Sequence, residues 1–135
     1  MYRFIEHEIT GLFLGIKHDS QEPGADVIIS DSWGYIDHQQ WEITAEGMII
    51  NKLNGLALTI HPTDDPPAKV TMERATGADV QRWYYENNIR QFLNQVDQFA
   101  LCPRQSDDGM VPIVEAVPSS PLIFNLWRSF FTHKY

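Results

Sequence analysis

Short bursts along the chain place apolar residues at every second position. Leu12, Leu14 and Ile16 share one parity, as do Leu56, Leu58 and Ile60, while Trp41 and Ile43 alternate with Glu42 and Thr44. Side chains two residues apart lie on the same face of a strand, so these bursts predict half-buried β-strands. Turn-forming runs separate them: Gln21-Glu22-Pro23-Gly24, Asp64-Asp65-Pro66-Pro67, Thr76-Gly77-Ala78-Asp79 and Ser106-Asp107-Asp108-Gly109. One stretch follows another rhythm. Ile89, Phe92, Leu93, Val96, Phe99 and Ala100 have the three-and-four spacing of an amphipathic helix when read alone.

The bursts recur at a long period, which reports a repeated structural unit. Gln39-Gln40-Trp41, Gln81-Arg82-Trp83 and Asn125-Leu126-Trp127 share the pattern amide, any residue, tryptophan, with Trp-to-Trp intervals of 42 and 44. Upstream of them, Gly11-Leu12-Phe13-Leu14-Gly15-Ile16 aligns with Gly55-Leu56-Ala57-Leu58-Thr59-Ile60 and with Gln98-Phe99-Ala100-Leu101-Cys102-Pro103, at offsets of 44 and 43. A third marker, Val27-Ile28-Ile29, is matched by Val70-Thr71-Met72 and by the run Val111-Pro112-Ile113-Val114. Each repeat thus offers about four strand-sized segments, with boundaries near 2–46, 47–86 and 87–135 in a single domain spanning 1–135. This register assigns strands, not a helix, to 89–100. The expectation is an all-β chain, and a two-sheet sandwich gives no reason for a threefold repeat.

Charge and composition narrow the function. A net charge of −8 with scattered lysines and arginines opposes a polyanionic partner, so no nucleic acid is expected and neutral partners are favoured. Met1 to Ile16 carries Arg3, Glu6, His7 and Glu8 among its apolar residues, which predicts neither a signal peptide nor membrane insertion and suggests a cytoplasmic setting. Cys102 has no second cysteine to pair with and reads as a small buried hydrophobe within Phe99-Ala100-Leu101-Cys102-Pro103. The five histidines lack ligand spacing, and Asp107-Asp108-Gly109 lacks the ladder of a calcium loop, so no metal is expected. With no phosphate loop or paired catalytic carboxylates, neither a cofactor nor an enzymatic activity is expected.

Three amide-x-Trp motifs in register, each preceded by a Gly-x-x-Leu-type strand, resemble those of the ricin-B-type (R-type) lectins. The segments Tyr2-Arg3-Phe4-Ile5 through Gly11, Pro23-Gly24-Ala25-Asp26-Val27-Ile28 and His38-Gln39-Gln40-Trp41 look most like the disulfide-free mushroom members. The resemblance implies a β-trefoil of three pseudo-symmetric four-stranded repeats that binds glycans or glycoproteins, usually through galactose or N-acetylgalactosamine ends, without catalysis. It also implies a site in which a strand-two aspartate accepts sugar hydroxyls, an aromatic ring stacks on the sugar, and an Asn or His beside the motif amide completes the contacts. Here Gly15, Thr59 and Cys102 stand at the aspartate positions. Repeat one keeps the most, with Asp19, Trp33, Tyr35, Asp37, His38 and Gln39, and is the expected carbohydrate site. Repeat two offers Asp79 and Gln81, and repeat three Phe124 and Asn125. The amides and tryptophans of the motifs themselves are expected to be scaffold. Shallow single sites gain avidity by multiplication, which makes a homodimer a natural arrangement. An alternative reading follows from a second resemblance, to mushroom trefoil inhibitors of cysteine and serine proteases, around Val117-Pro118-Ser119-Ser120-Pro121-Leu122 and Asn125-Leu126-Trp127-Arg128.

Overall fold

The computed structural model describes residues 1–31, 37–105, 112–119 and 126–131. The alternating bursts form strands β1 (Arg3–His7), β2 (Phe13–Ile16), β3 (Ala25–Ser30) and β4 (Trp41–Ile43) in the first third of the chain. The second third holds β5 (Ile49–Asn51), β6 (Ala57–His61), β7 (Ala68–Glu73) and β8 (Trp83–Glu86). The last holds β9 (Gln91–Asn94), β10 (Phe99–Arg104), β11 (Ile113–Pro118) and β12 (Trp127–Phe131). The helix-like stretch is two strands. Ile89 and Val96, which completed its apolar stripe, lie outside β9 and β10 and are 37% and 44% exposed, whereas Phe92 and Leu93 are buried.

Antiparallel pairing closes the chain into two tiers. β12 pairs with β1, β1 with β4, β4 with β5, and β8 with β9. The gaps in that ring are bridged where the Trp83 N–H donates to the Gly47 carbonyl and the Trp127 N–H to the Arg90 carbonyl, both at 2.8 Å. The hairpins β2–β3, β6–β7 and β10–β11 form the second tier, and β3, β7 and β11 each pair with the other two. Three strands in mutual contact must surround a common axis. Register fixes the equivalences: Gly15 faces Ile28, Thr59 faces Thr71, and Cys102 faces Glu115. Val27 and Val70 therefore match Val114, at the end of the run singled out in the sequence.

The three motif tryptophans hold the tiers together in the same way. Trp41, Trp83 and Trp127 are at most 3% exposed, and each indole N–H donates to a strand carbonyl at 3.0 Å: Leu14, Leu58 and Leu101 respectively. Those carbonyls are spaced by 44 and 43 residues, the offsets of the upstream marker. A buried indole supplies a large apolar area, and its N–H must find an acceptor. A second threefold set lies at the ends of β1, β5 and β9. Asn51 Nδ2 donates to the His38 carbonyl and Asn94 Nδ2 to that of Val80, while their Oδ1 atoms accept from the N–H of Leu53 and Val96. His7 takes this position in repeat one. It is fully buried, hydrogen-bonded through Nδ1 to Thr10 Oγ1 at 2.9 Å, with its ring edge on Trp127.

Candidate functional site

Gly15 on β2 is the centre of the candidate site in repeat one. A Cβ there would meet His38 Nδ1 at 2.7 Å, His38 Cε1 at 2.9 Å and Gln39 Cγ at 3.1 Å. The missing side chain is thus replaced by the His38 imidazole, which folds in from the short 3-10 turn Asp37–Gln39. Its Nδ1 accepts from the Ile16 N–H at 3.2 Å, which places the ring hydrogen on Nε2. Nε2 lies 3.3 Å from Asp19 Oδ1. The His38 side chain is 12% exposed and that of Asp19 70%, so a sheltered ring faces an acceptor that opens to solvent.

Asp19 sits in the turn Lys17–Asp19 that follows β2, where His18 and Asp19 both take left-handed backbone angles (φ 58° and 52°). Aspartate tolerates that region better than most residues. The next residue is pinned from repeat two, since Asn54 Nδ2 donates to the Ser20 carbonyl at 3.0 Å.

The remaining repeat-one residues divide into support and periphery. Gln39 is fully buried, and its Nε2 donates to the Ser30 and Asp31 carbonyls and to Ser30 Oγ at 3.0–3.3 Å. It clamps the stem of the loop leading from β3 to the motif. Asp37 is half exposed and pairs with Lys52 at 3.3 Å, and that ammonium also stands 5.2 Å from the centre of the Tyr2 ring. Trp33 and Tyr35, expected as stacking rings, lie outside the described residues. So do Phe124 and Asn125, the turn at 106–109, and Ser120, Pro121 and Leu122 of the inhibitor-like segment.

The equivalent positions of the other repeats are built differently. In repeat two, Thr59 Oγ1 donates to the Ala57 carbonyl and accepts from Gln81 Nε2, so its hydroxyl is committed within the fold. Gln81 Oε1 accepts from the N–H groups of Thr76 and Gly77, and Asp79 pairs with Arg82 at 3.7 Å. In repeat three Cys102 is half-buried, more open than expected of a core thiol, with its Sγ 3.5 Å from the Pro103 carbonyl. Burial, with the Glu115 carboxylate adding to it, pushes that thiol's pKa up and keeps it protonated.

In the sequence Gly15 reads as the loss of an acceptor, whereas in the structure it is the space that seats His38. A signal was available. The residue before each motif amide is His38, Val80 or Phe124, against Gly15, Thr59 and Cys102 on strand two, so the one glycine faces the one imidazole.

The family model for the ricin-type beta-trefoil lectin domain matches residues 2–116. The chain belongs to this family. Its membership supports carbohydrate binding. No curated protein matches the sequence. Among solved structures, a designed threefold-symmetric protein, ThreeFoil, superposes with a TM-score of 0.83 at 20% identity, covering 95% of this chain and 96% of that one. The C-terminal half of an earthworm R-type lectin, solved with GalNAc, gives 0.77 at 17% identity over 95% and 96%. The β-trefoil lectin of the Vibrio vulnificus hemolysin/cytolysin, with N-acetyl-D-lactosamine bound, gives 0.78 at 14% identity over 99% and 96%. These likenesses show the fold.

Proposed function

We propose that this domain binds terminal galactose or N-acetylgalactosamine through repeat one, as a recognition module without a catalytic step. The observation that carries the reading is the exposed Asp19 carboxylate facing His38, whose ring occupies the place of a side chain on Gly15. A carboxylate accepts from two vicinal hydroxyls, and in this reading Asp19 replaces the missing strand-two acceptor. His38 serves as its positioning residue, since both ring nitrogens already face partners. Trp33 and Tyr35, in the loop whose stem Gln39 clamps, supply the apolar face for the sugar ring. One such site is worth millimolar affinity, about 4 kcal/mol, so several copies on one surface are needed for firm attachment.

A glycan array printed with the protein at high density tests this. Signal on galactose- or N-acetylgalactosamine-terminated ligands, lost in Asp19→Ala and in Trp33→Ala, is the expected outcome. Silence on all such ligands, or signal that survives Asp19→Ala undiminished, overturns it.

A further inference from the structure

The turns that join β1 to β2, β5 to β6 and β9 to β10 each carry a polar residue that accepts from the backbone N–H two positions on. Thr10 Oγ1 accepts from Leu12 at 3.2 Å, Asn54 Oδ1 from Leu56 at 2.9 Å, and Asp97 Oδ1 from Phe99 at 3.0 Å. The three share this task at offsets of 44 and 43, and beyond it they differ chemically. An ionised aspartate has no proton to give, and the Thr10 hydroxyl faces His7 Nδ1 at 2.9 Å. Of the three, Asn54 has an amide donor to spare. Its Nδ2 crosses from repeat two to the Ser20 carbonyl of repeat one at 3.0 Å.

That carbonyl ends the turn that presents Asp19. His18 and Asp19 take successive left-handed conformations there, and residues with a Cβ hold such angles only where their surroundings enforce them. Two contacts do so from outside the turn. At its entry the Ile16 N–H is held on His38 Nδ1 at 3.2 Å, and at its exit Asn54 holds Ser20. Within the turn the Ser20 N–H reaches the Lys17 carbonyl at 3.3 Å, a long bond and a weak restraint. The Asp19 side chain is 70% exposed and meets His38 Nε2 at 3.3 Å. Its direction therefore depends on backbone angles that the side chain itself does little to fix.

We infer that Asn54 is a positioning residue of the candidate site in repeat one: by holding the Ser20 carbonyl it keeps Asp19 left-handed and the Asp19 carboxylate turned toward His38. Without that donor the half-buried Ser20 carbonyl turns to water, and the exit of the turn is free to relax. Asp19 then returns to the ordinary negative φ, which swings its carboxylate off the imidazole. A site residue on a short turn keeps its aim only while neighbouring groups support it. The part of Asn54 in glycan recognition rests on the reading of Asp19 as the sugar's acceptor, whereas its effect on the placement of Asp19 does not.

The equivalent turns supply the variants. Asn54→Thr and Asn54→Asp copy repeats one and three, keeping the acceptor for Leu56 and removing the donor to Ser20, while Asp97→Thr makes the matching change in repeat three. Nitrogen–proton spectra of the sugar-free proteins should show the Asp19 and Ser20 amides and the His38 ring nitrogens displaced in both Asn54 variants and in place in Asp97→Thr. All three variants should melt within a few degrees of the parent. In a titration with N-acetylgalactosamine the Asn54 variants should bind about fivefold to tenfold more weakly, and Asp97→Thr as the parent does. A purely structural Asn54 would lower the melting temperature and leave the His38 nitrogens where they are, which overturns the inference. So does full sugar affinity in an Asn54 variant whose Asp19 resonances have moved. If the parent itself is silent toward N-acetylgalactosamine, the sugar reading falls, and displaced Asp19 and His38 resonances still uphold Asn54 as the residue that places the carboxylate.

Discussion

A methyl group at position 15 would lie 2.7 Å from His38 Nδ1, closer than side-chain atoms approach, so Gly15→Ala must expel the imidazole or move the β2 backbone. Either response separates the Ile16 N–H from its acceptor. Overpacking of this kind costs about 1–3 kcal/mol, and urea denaturation should show a loss in that range, with the His38 ring resonances displaced. An unchanged midpoint and unmoved resonances would mean that the ring is not seated on Gly15. Tyr85 offers a pH test. Its hydroxyl donates to the Trp127 carbonyl at 2.5 Å, and burial, with a smaller contribution from Glu8 against an opposing one from Arg90, raises its pKa above the ordinary 10.0. A raised phenol pKa in the folded state contributes stability that is fully present below the unfolded value and is lost as pH rises through the folded one. Tyr85→Phe should therefore cost about 0.5–1.5 kcal/mol at neutral pH, and the gap to the unmodified protein should narrow above about pH 10. A gap that is constant to high alkalinity contradicts this.

At the scale of elements, the turns joining β1 to β2, β5 to β6 and β9 to β10 repeat one geometry. The N–H of Gly11, Gly55 and Gln98 donates to the carbonyl of His7, Asn51 and Asn94, at φ values of 72°, 69° and 58°. A left-handed residue with a Cβ costs about 1–2 kcal/mol, offset in part by the greater freedom glycine has when unfolded. Gln98→Gly should then stabilise the protein by about 0.5–1 kcal/mol and raise its melting temperature by a few degrees. A lowered melting temperature would show that the third repeat has adapted around glutamine. This position also shows why the elements were partly legible in sequence. Gly11 and Gly55 announce the turn, but Gln98 hides it, and Ile89 and Val96 add apolar residues at helical spacing that only the register of the repeats overrules.

The whole molecule was most legible where one residue type recurs for one physical reason. Three indoles that each need an acceptor and a buried seat mark the three repeats, and Leu14, Leu58 and Leu101 accept from them at matching offsets. Equivalence was hidden where chemistry diverged. His7 stands in for Asn51 and Asn94 without resembling them, and Asp26, Lys69 and Ile113 share a position around the axis that only the pairing of β3, β7 and β11 reveals. The nearness of Asp19, His38 and Gln39 was legible in the sequence, but not their arrangement, since the seating of His38 on Gly15 depends on space and not on a motif.

The proposed glycan site puts Asp19 of repeat one in direct contact with a sugar. A titration with N-acetylgalactosamine, followed residue by residue in nitrogen–proton correlation spectra, addresses it directly. Saturable shifts concentrated at residues 15–19 and 37–39, absent from the Asp19→Ala protein, are expected. Shifts confined to the second or third repeat, or none at concentrations on the order of tens of millimolar, would contradict it.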